Sequence, residues 1–278
     1  MIAQAPNLDT LLGIGGIELQ QVFDLGLVFF MHTIRLSAFF LSAPFFGAAA
    51  IPVQARIMIS ILISVALFGQ IQVPDPRTLP FLGLVEVIMI EVALGLALGL
   101  IMTILFSAVA MAGEKIAASA GLGFAAQVDP NSGGQTPVVS QILNLFAITV
   151  FLSLDGHLLA IALIRESYDL LPMGQTFGFP ALVSAGLEAG GHMFSVASLL
   201  MLPVVSILLL ANVTVGVVTR SAPQLNLFSF GFPLTILTCF FALYLSTVPM
   251  GFAIRDMIAF FLEFLEDTIA EAADGRGE

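Results

Sequence analysis

Charge is scarce in this chain. Asp, Glu, Lys and Arg together supply 10% of its 278 residues, against roughly 25% in ordinary soluble domains. Hydrophobic residues reach 59%, with 25 Phe, and the mean hydropathy is +1.07. A water-soluble globule could not cover so much apolar side chain with so little polar surface. Tryptophan is absent, and the single cysteine, Cys239, sits in an apolar run. One thiol cannot build an intrachain disulfide framework, and beside three separated histidines it makes a structural zinc site improbable. Basic residues are also few: eight, against 19 acidic ones, for a net charge of −11. That balance argues against nucleic acid, which is bound by clustered Lys and Arg. The basic residues are spread about one per connection, so the positive-inside rule gives almost no vote on orientation. Met1–Leu19 has no basic n-region and carries Asp9 and Glu18, unlike a cleavable signal. No HExxH or GxSxG pattern occurs; no enzyme activity, cofactor or metal site is expected.

What remains is a set of long apolar segments. Six are candidate helices: about Gln20–Ile51, interrupted near Pro44; Ile57–Val73; Phe81–Ala112; Val138–Ile164; Met193–Thr219; and Leu234–Ile254. Pro203 and Pro249 predict kinks or breaks in the last two. Nothing alternates like a strand. The fold class is all-α: a membrane-associated helical-hairpin protein with about six long, partly broken hydrophobic helices. Residues 170–187 are uncharged but punctuated by Pro172, Gly174, Gly178 and Pro180, which predicts a loop lying at an interface. From Asp256 to Ala270, Ile258, Phe261, Leu262, Leu265 and Ile269 recur at helical spacing, opposed by Glu263, Glu266 and Asp267. That pattern predicts an acidic amphipathic tail over 256–278, read first as a solvated terminal helix and second as a face for a protein partner.

Four places could carry function. Arg220 stands between uncharged runs of 31 residues (189–219) and 34 residues (221–254), each long enough for one membrane-spanning helix and a turn. Polar residues, prolines and glycine at such a junction are costly unless protein surrounds them. The segment Gly113–Pro137 holds five glycines and two prolines. It is read either as a flexible connector or as small residues packing closely against other backbones, as a plug does. Glu86 and Glu91 lie about 140° apart around a helix, so they do not share a face. Both are read as lying near the aqueous end of their segment, with an ion path as the other reading. Asp155-Gly156-His157 interrupts a long apolar run; a structural turn is preferred to a proton relay.

The run NVTVGVVTRSAPQLNLFSFGFPL at 212–234 resembles the signature of the FliR/SctT family of type III secretion export-gate subunits. The matching positions are Asn212, Gly216, Arg220, Pro223, Gln224, Asn226, Phe228, Gly231, Phe232 and Pro233. A second match lies in 112–144, at Gly113, Gly123, Asp129, Pro130, Gln135, Ser140 and Asn144. A third is FLSLDGH at 151–157, with Asp155, Gly156 and His157. A fourth is the early pattern of Arg35, Pro44, Gly47, Pro52 and Arg56. These occur in family order over nearly the whole chain, so the combined match is specific where each piece is weak.

The resemblance implies a subunit that assembles with FliP- and FliQ-like membrane partners into a helically arranged gate. Such a gate sits in the bacterial inner membrane at the flagellar basal body and passes unfolded secreted proteins, in contact with lipid and with other export-apparatus membrane proteins. It implies a FliP-like part over 1–185 and a FliQ-like hairpin over 186–255. It assigns a plug role to the loop at 113–137, including Gly113, Glu114, Lys115, Gly121, Gly123, Phe124, Gln127, Asp129 and Pro130. The 212–233 positions become hairpin-tip or subunit contacts. The flagellar branch is preferred to the virulence one. The competing reading is an ion-coupled secondary transporter using Glu86, Glu91, Asp155 or His157. An intramembrane hydrolase falls below both for want of a motif.

Overall fold

The structure, a computed structural model, describes residues 19–44, 52–71, 73–76, 78–122, 138–222 and 230–275. Among these, seven α-helices and no strand occur: α1 Leu19–Ser42, α2 Val53–Ala66, α3 Phe81–Ser119, α4 Val138–Ser153, α5 Gly156–Leu170, α6 Phe179–Ser221 and α7 Phe232–Asp274. Four of them (α1, α3, α6 and α7) are long and apolar enough to cross a membrane, or five spans if the bent pair α4–α5 counts as one. The chain is an all-α membrane protein.

The described residues fall into two compact units. The first contains α1, α2, the N-terminal half of α3 up to Gly99, and Ile164–Gly178. Its core forms where α1 crosses α3. Gly95 and Gly99 lie four residues apart, on one face of α3. A Cβ at Gly95 would run into the Arg35 carbonyl and lie 2.7 Å from the Ala38 Cβ; one at Gly99 would meet the Ser42 hydroxyl and lie 2.8 Å from the Phe39 carbonyl. Missing side chains let the two backbones approach, the small-residue packing used between helices in lipid. Phe39, Phe40, Leu94 and Leu98 are buried around the crossing.

The second unit contains the rest of α3, α4, α5 up to Leu163, all of α6, and α7 up to Ala272. Phe106 stands between Phe151 and Phe261, with ring centroids 5.4 Å and 5.7 Å away and both pairs edge-to-face, the arrangement aromatic quadrupoles prefer. α6 and α7, 43 residues each, form an antiparallel hairpin. The ring of His192, about a third of the way along α6, has its centroid 4.4 Å from that of Phe260, about two thirds of the way along α7. Both helices are thinly covered: 22% of the most apolar window of each is buried, and Leu187, Leu210, Leu237 and Tyr244 are exposed.

Several boundaries differ from those expected. α2 begins at Val53 because Pro52, extended at φ −62° and ψ 145°, starts it and accepts the Ala55 and Arg56 amides. It ends at Ala66, before the turn at Gly69 (φ +84°). α1 stops at Ser42, ahead of Pro44, since a residue preceding proline is pushed out of the helical region. The expected loop at 170–187 ends at Gly178; Pro180 falls in the first turn of α6, where its missing N–H costs nothing. Pro203 and Pro249 lie inside continuous helices and divide neither. Residues 256–270 keep their expected polarity, with Ile258, Phe261, Leu265 and Ile269 buried and Glu263, Glu266 and Asp267 exposed. They form no separate helix but continue α7, and Phe261 packs on Phe106 of the same chain. The Val138–Ile164 segment is two helices, bent by 67°.

Candidate functional site

The first concentration of polar groups is centred on Arg35. On α1, its side chain is fully buried, an arrangement that charge tolerates only with partners. Its Nε donates to Glu91 Oε2 at 2.7 Å and its Nη2 to Oε1 at 3.1 Å. Nη1 donates to the Ser167 carbonyl at 2.8 Å and hydroxyl at 3.0 Å, and Nη2 also to the Leu171 carbonyl at 2.9 Å. A guanidinium has five N–H donors, and here five acceptors meet them. The Tyr168 ring lies 4.1 Å from Cζ, within cation–π range, and its hydroxyl donates to the His32 carbonyl at 3.2 Å. Ser167 and Leu171 bracket the C-terminal end of α5. The Ser167 carbonyl also accepts the Leu171 amide at 2.9 Å, and the Leu171 carbonyl lies just past the last helical residue, where helical partners run out. Arg35 therefore neutralises Glu91 on α3 and caps α5 with one side chain.

This overturns one expectation and supports its neighbour. Glu91 is not near an aqueous end: it is fully buried and ion-paired. Glu86, five residues earlier, is exposed, as expected of a group at the end of a segment. The two do not share a face, also as expected. Asp155 is exposed and takes φ +55°. Asparagine and aspartate tolerate this left-handed conformation better than other side chains. Its carbonyl accepts the Leu158 and Leu159 amides at 2.9 and 3.1 Å, so Asp155 starts α5 and the expected structural turn is present. Gly156 is required there, because a Cβ would enter the Phe151 ring. His157, half-buried, has a buried Nδ1 without a hydrogen-bond partner. Among the described residues no three His, Cys, Asp or Glu side chains group together, and the acids that a coupled transporter would use are dispersed or neutralised.

The second concentration lies where α3 ends. Gly113, Glu114 and Lys115 belong to α3, not to a loop. Gly113 is buried against the Ser140 backbone, while Glu114 and Lys115 are exposed. The small residues that suggested a connector instead let α4 approach: Ser140 Oγ donates to the Ala110 carbonyl at 2.8 Å. Gly121, at φ +79°, makes the turn that ends α3, and a Cβ there would lie 2.7 Å from Phe232 Cε1. Asn212 Nδ2 donates to the Ser119 carbonyl at 3.1 Å. Two motifs that are about 90 residues apart in sequence, Gly121 on one side and Asn212 and Phe232 on the other, are thus brought together. Thr235, whose hydroxyl lies 3.3 Å from the Ala120 carbonyl, was missed; a threonine in an apolar run ordinarily satisfies its own helix.

Arg220, Gly216 and Pro233 are exposed and Gly231 is buried, all at or near the α6–α7 connection. Pro44 and Arg56 are half-buried in the first unit and Pro52 is exposed. Asn144 is half-buried on α4. Gly47, Gly123, Phe124, Gln127, Asp129, Pro130, Gln135, Pro223, Gln224, Asn226 and Phe228 lie outside the described residues.

Residues 27–260 match the bacterial export proteins, family 1. The flagellar biosynthetic protein FliR of Pectobacterium carotovorum is 34% identical over 75% of this chain and 79% of its own. That of Escherichia coli K12 is 33% identical over 75% and 80%. That of Bacillus subtilis is 30% identical over 91% of this chain and 98% of its own.

Proposed function

The chain belongs to the bacterial export proteins, family 1, as a membrane subunit of the flagellar export apparatus, and we propose that it works there as a structural part of the export gate. In this reading it joins FliP- and FliQ-type subunits in the inner membrane at the basal body. Together they form the channel through which unfolded flagellar proteins cross. The subunit binds, orients and seals; it catalyses nothing. Residues 1–185 take the FliP-like role and the hairpin at 186–255 the FliQ-like role.

The observation that carries this reading is the surface of the α6–α7 hairpin. Its arms leave most of their most apolar windows uncovered, yet they also expose Asn212 and Arg220. Lipid alone is a poor cover for that mixture, because polar side chains facing hydrocarbon are expensive. Other protein subunits satisfy both kinds of group at once. The segment that follows Gly121 takes the plug role, and its departure point is fixed on the hairpin by Asn212 and Phe232.

A mild-detergent pull-down of a tagged chain from its host, followed by mass spectrometry and native mass, tests the reading. Co-purification with two unlike small membrane subunits in one defined complex is the expected result. A clean monomer or homodimer overturns it.

A further inference from the structure

α3 ends under unusually complete control. Its last turn is a Schellman motif: the Gly121 amide donates to the Ala118 carbonyl at 3.1 Å and the Leu122 amide to the Ala117 carbonyl at 3.0 Å, with Gly121 in the left-handed conformation. That serves two of the carbonyls a helix C-terminus leaves without partners. The remaining two, of Ser119 and Ala120, are reached by side chains from elsewhere. Asn212 comes from α6 and Thr235 from α7. Thr235 is buried and its hydroxyl also points to the Phe232 carbonyl of its own helix at 3.0 Å, so its single proton is divided between a local and a distant acceptor.

We propose that Asn212 and Thr235 are positioning residues that cap α3 from outside it, one from each arm of the hairpin. The point at which the chain leaves α3 then follows the hairpin instead of fraying. The residue choices support this. Asn212 lies within a 31-residue uncharged run, where a leucine would be favoured by transfer into lipid. Its amide instead spends a donor on a carbonyl of another helix. Ala120, whose carbonyl is the other acceptor, is 1% exposed, so water does not readily replace a lost donor and the group would be left unsatisfied. Gly121 permits the Phe232 ring to close over the turn, which brings the α7 start, and with it Thr235, within reach. This deepens the export-subunit reading, and its consequence for secretion rests on that reading; the capping itself does not.

The test is residue-resolved hydrogen exchange on the whole chain in its purified native complex. In the unaltered protein the Gly121 and Leu122 amides should be protected like those in the middle of α3; exchange at the rate of a frayed end overturns the proposal without any variant. Thr235→Val keeps shape and removes the donor, and Asn212→Leu removes the amide. Each should raise exchange at Gly121 and Leu122 about fivefold or more, the effect of one ordinary hydrogen bond, with α1 amides unmoved. Thr235→Ser should restore protection. Unchanged exchange in both variants overturns the capping. Raised exchange with undiminished secretion of a flagellar reporter, at unchanged subunit ratios, overturns the positioning role. Absence of unlike membrane subunits from the unaltered protein's preparation would instead tell against the gate reading and leave the exchange result to stand alone.

Discussion

Arg35 Nε lies 2.7 Å from Glu91 Oε2, across 56 residues of sequence and between two helices, with side-chain exposures of 1% and 0%. Neither charge has water to fall back on. Removing one partner of such a pair costs about 3–5 kcal/mol, because the other is left buried and uncompensated. Glu91→Gln and Arg35→Met should each sharply lower the yield and thermal stability of the detergent-purified chain. The double variant Arg35→Met with Glu91→Met should recover part of the loss. Additive losses in that cycle would show that the two side chains act separately. Arg35→Lys should fare badly too, since an ammonium cannot reproduce the two-pronged contact with Glu91 and the carbonyls of Ser167 and Leu171.

Gly99 and Gly26 make a matched pair. A Cβ at Gly99 would collide with Ser42, while one at Gly26 meets nothing within 4 Å. Gly99→Ala should therefore destabilise by about 1–3 kcal/mol through overpacking. Gly26→Ala should be neutral or stabilise by roughly 0.5–1 kcal/mol, as usual for an unconstrained helical glycine. Thermal unfolding of the two variants side by side checks it; equal effects would refute the close α1–α3 crossing.

Asp155 holds a left-handed backbone at the α4–α5 turn. Asp155→Gly should keep or raise stability, Asp155→Asn should be near neutral, and Asp155→Val should lose about 1–3 kcal/mol to backbone strain. Motility of cells carrying Asp155→Asn supplies a second reading. A loss of motility with normal stability would mean that the carboxylate, not the turn, is what matters.

Glu86, exposed at the start of α3, should accept glutamine with no change in stability beyond about 0.5 kcal/mol, and with the proton dependence of secretion intact. A selective loss of that dependence would return the coupled-transporter reading to contention.

How much of this was legible beforehand follows from the range of the interactions. Apolar runs announced the helices, because the pattern that buries a helix is local. The turn at Asp155-Gly156 was readable for the same reason, as was the polarity of residues 256–270. The Arg35–Glu91 pair was not. Sequence spacing identifies partners three or four residues apart on one helix, and nothing in it aligns position 35 with 91, 167 and 171. Gly113–Ser119 misled for a different reason: small residues serve loops and tight helix packing alike, and only the Ser140 backbone lying against Gly113 decides between them. Asn212 was recognisable as special through its resemblance, but its acceptor, the Ser119 carbonyl, belongs to a backbone that sequence does not distinguish.

The two arms of the hairpin carry one more consequence. At about 1.5 Å per residue, a 43-residue helix is roughly 65 Å long, twice the hydrocarbon thickness of a bilayer. The uncharged part of α7, Phe232–Ile254, is only about 35 Å long, an ordinary span, so its charged remainder stands outside the hydrocarbon, whereas α6 runs uncharged for about 46 Å after Glu188 and exceeds it. The two arms therefore ask different things of their surroundings: α7 divides between hydrocarbon and a polar medium, while α6 offers more apolar length than a bilayer covers, and other protein is the cover that suits it.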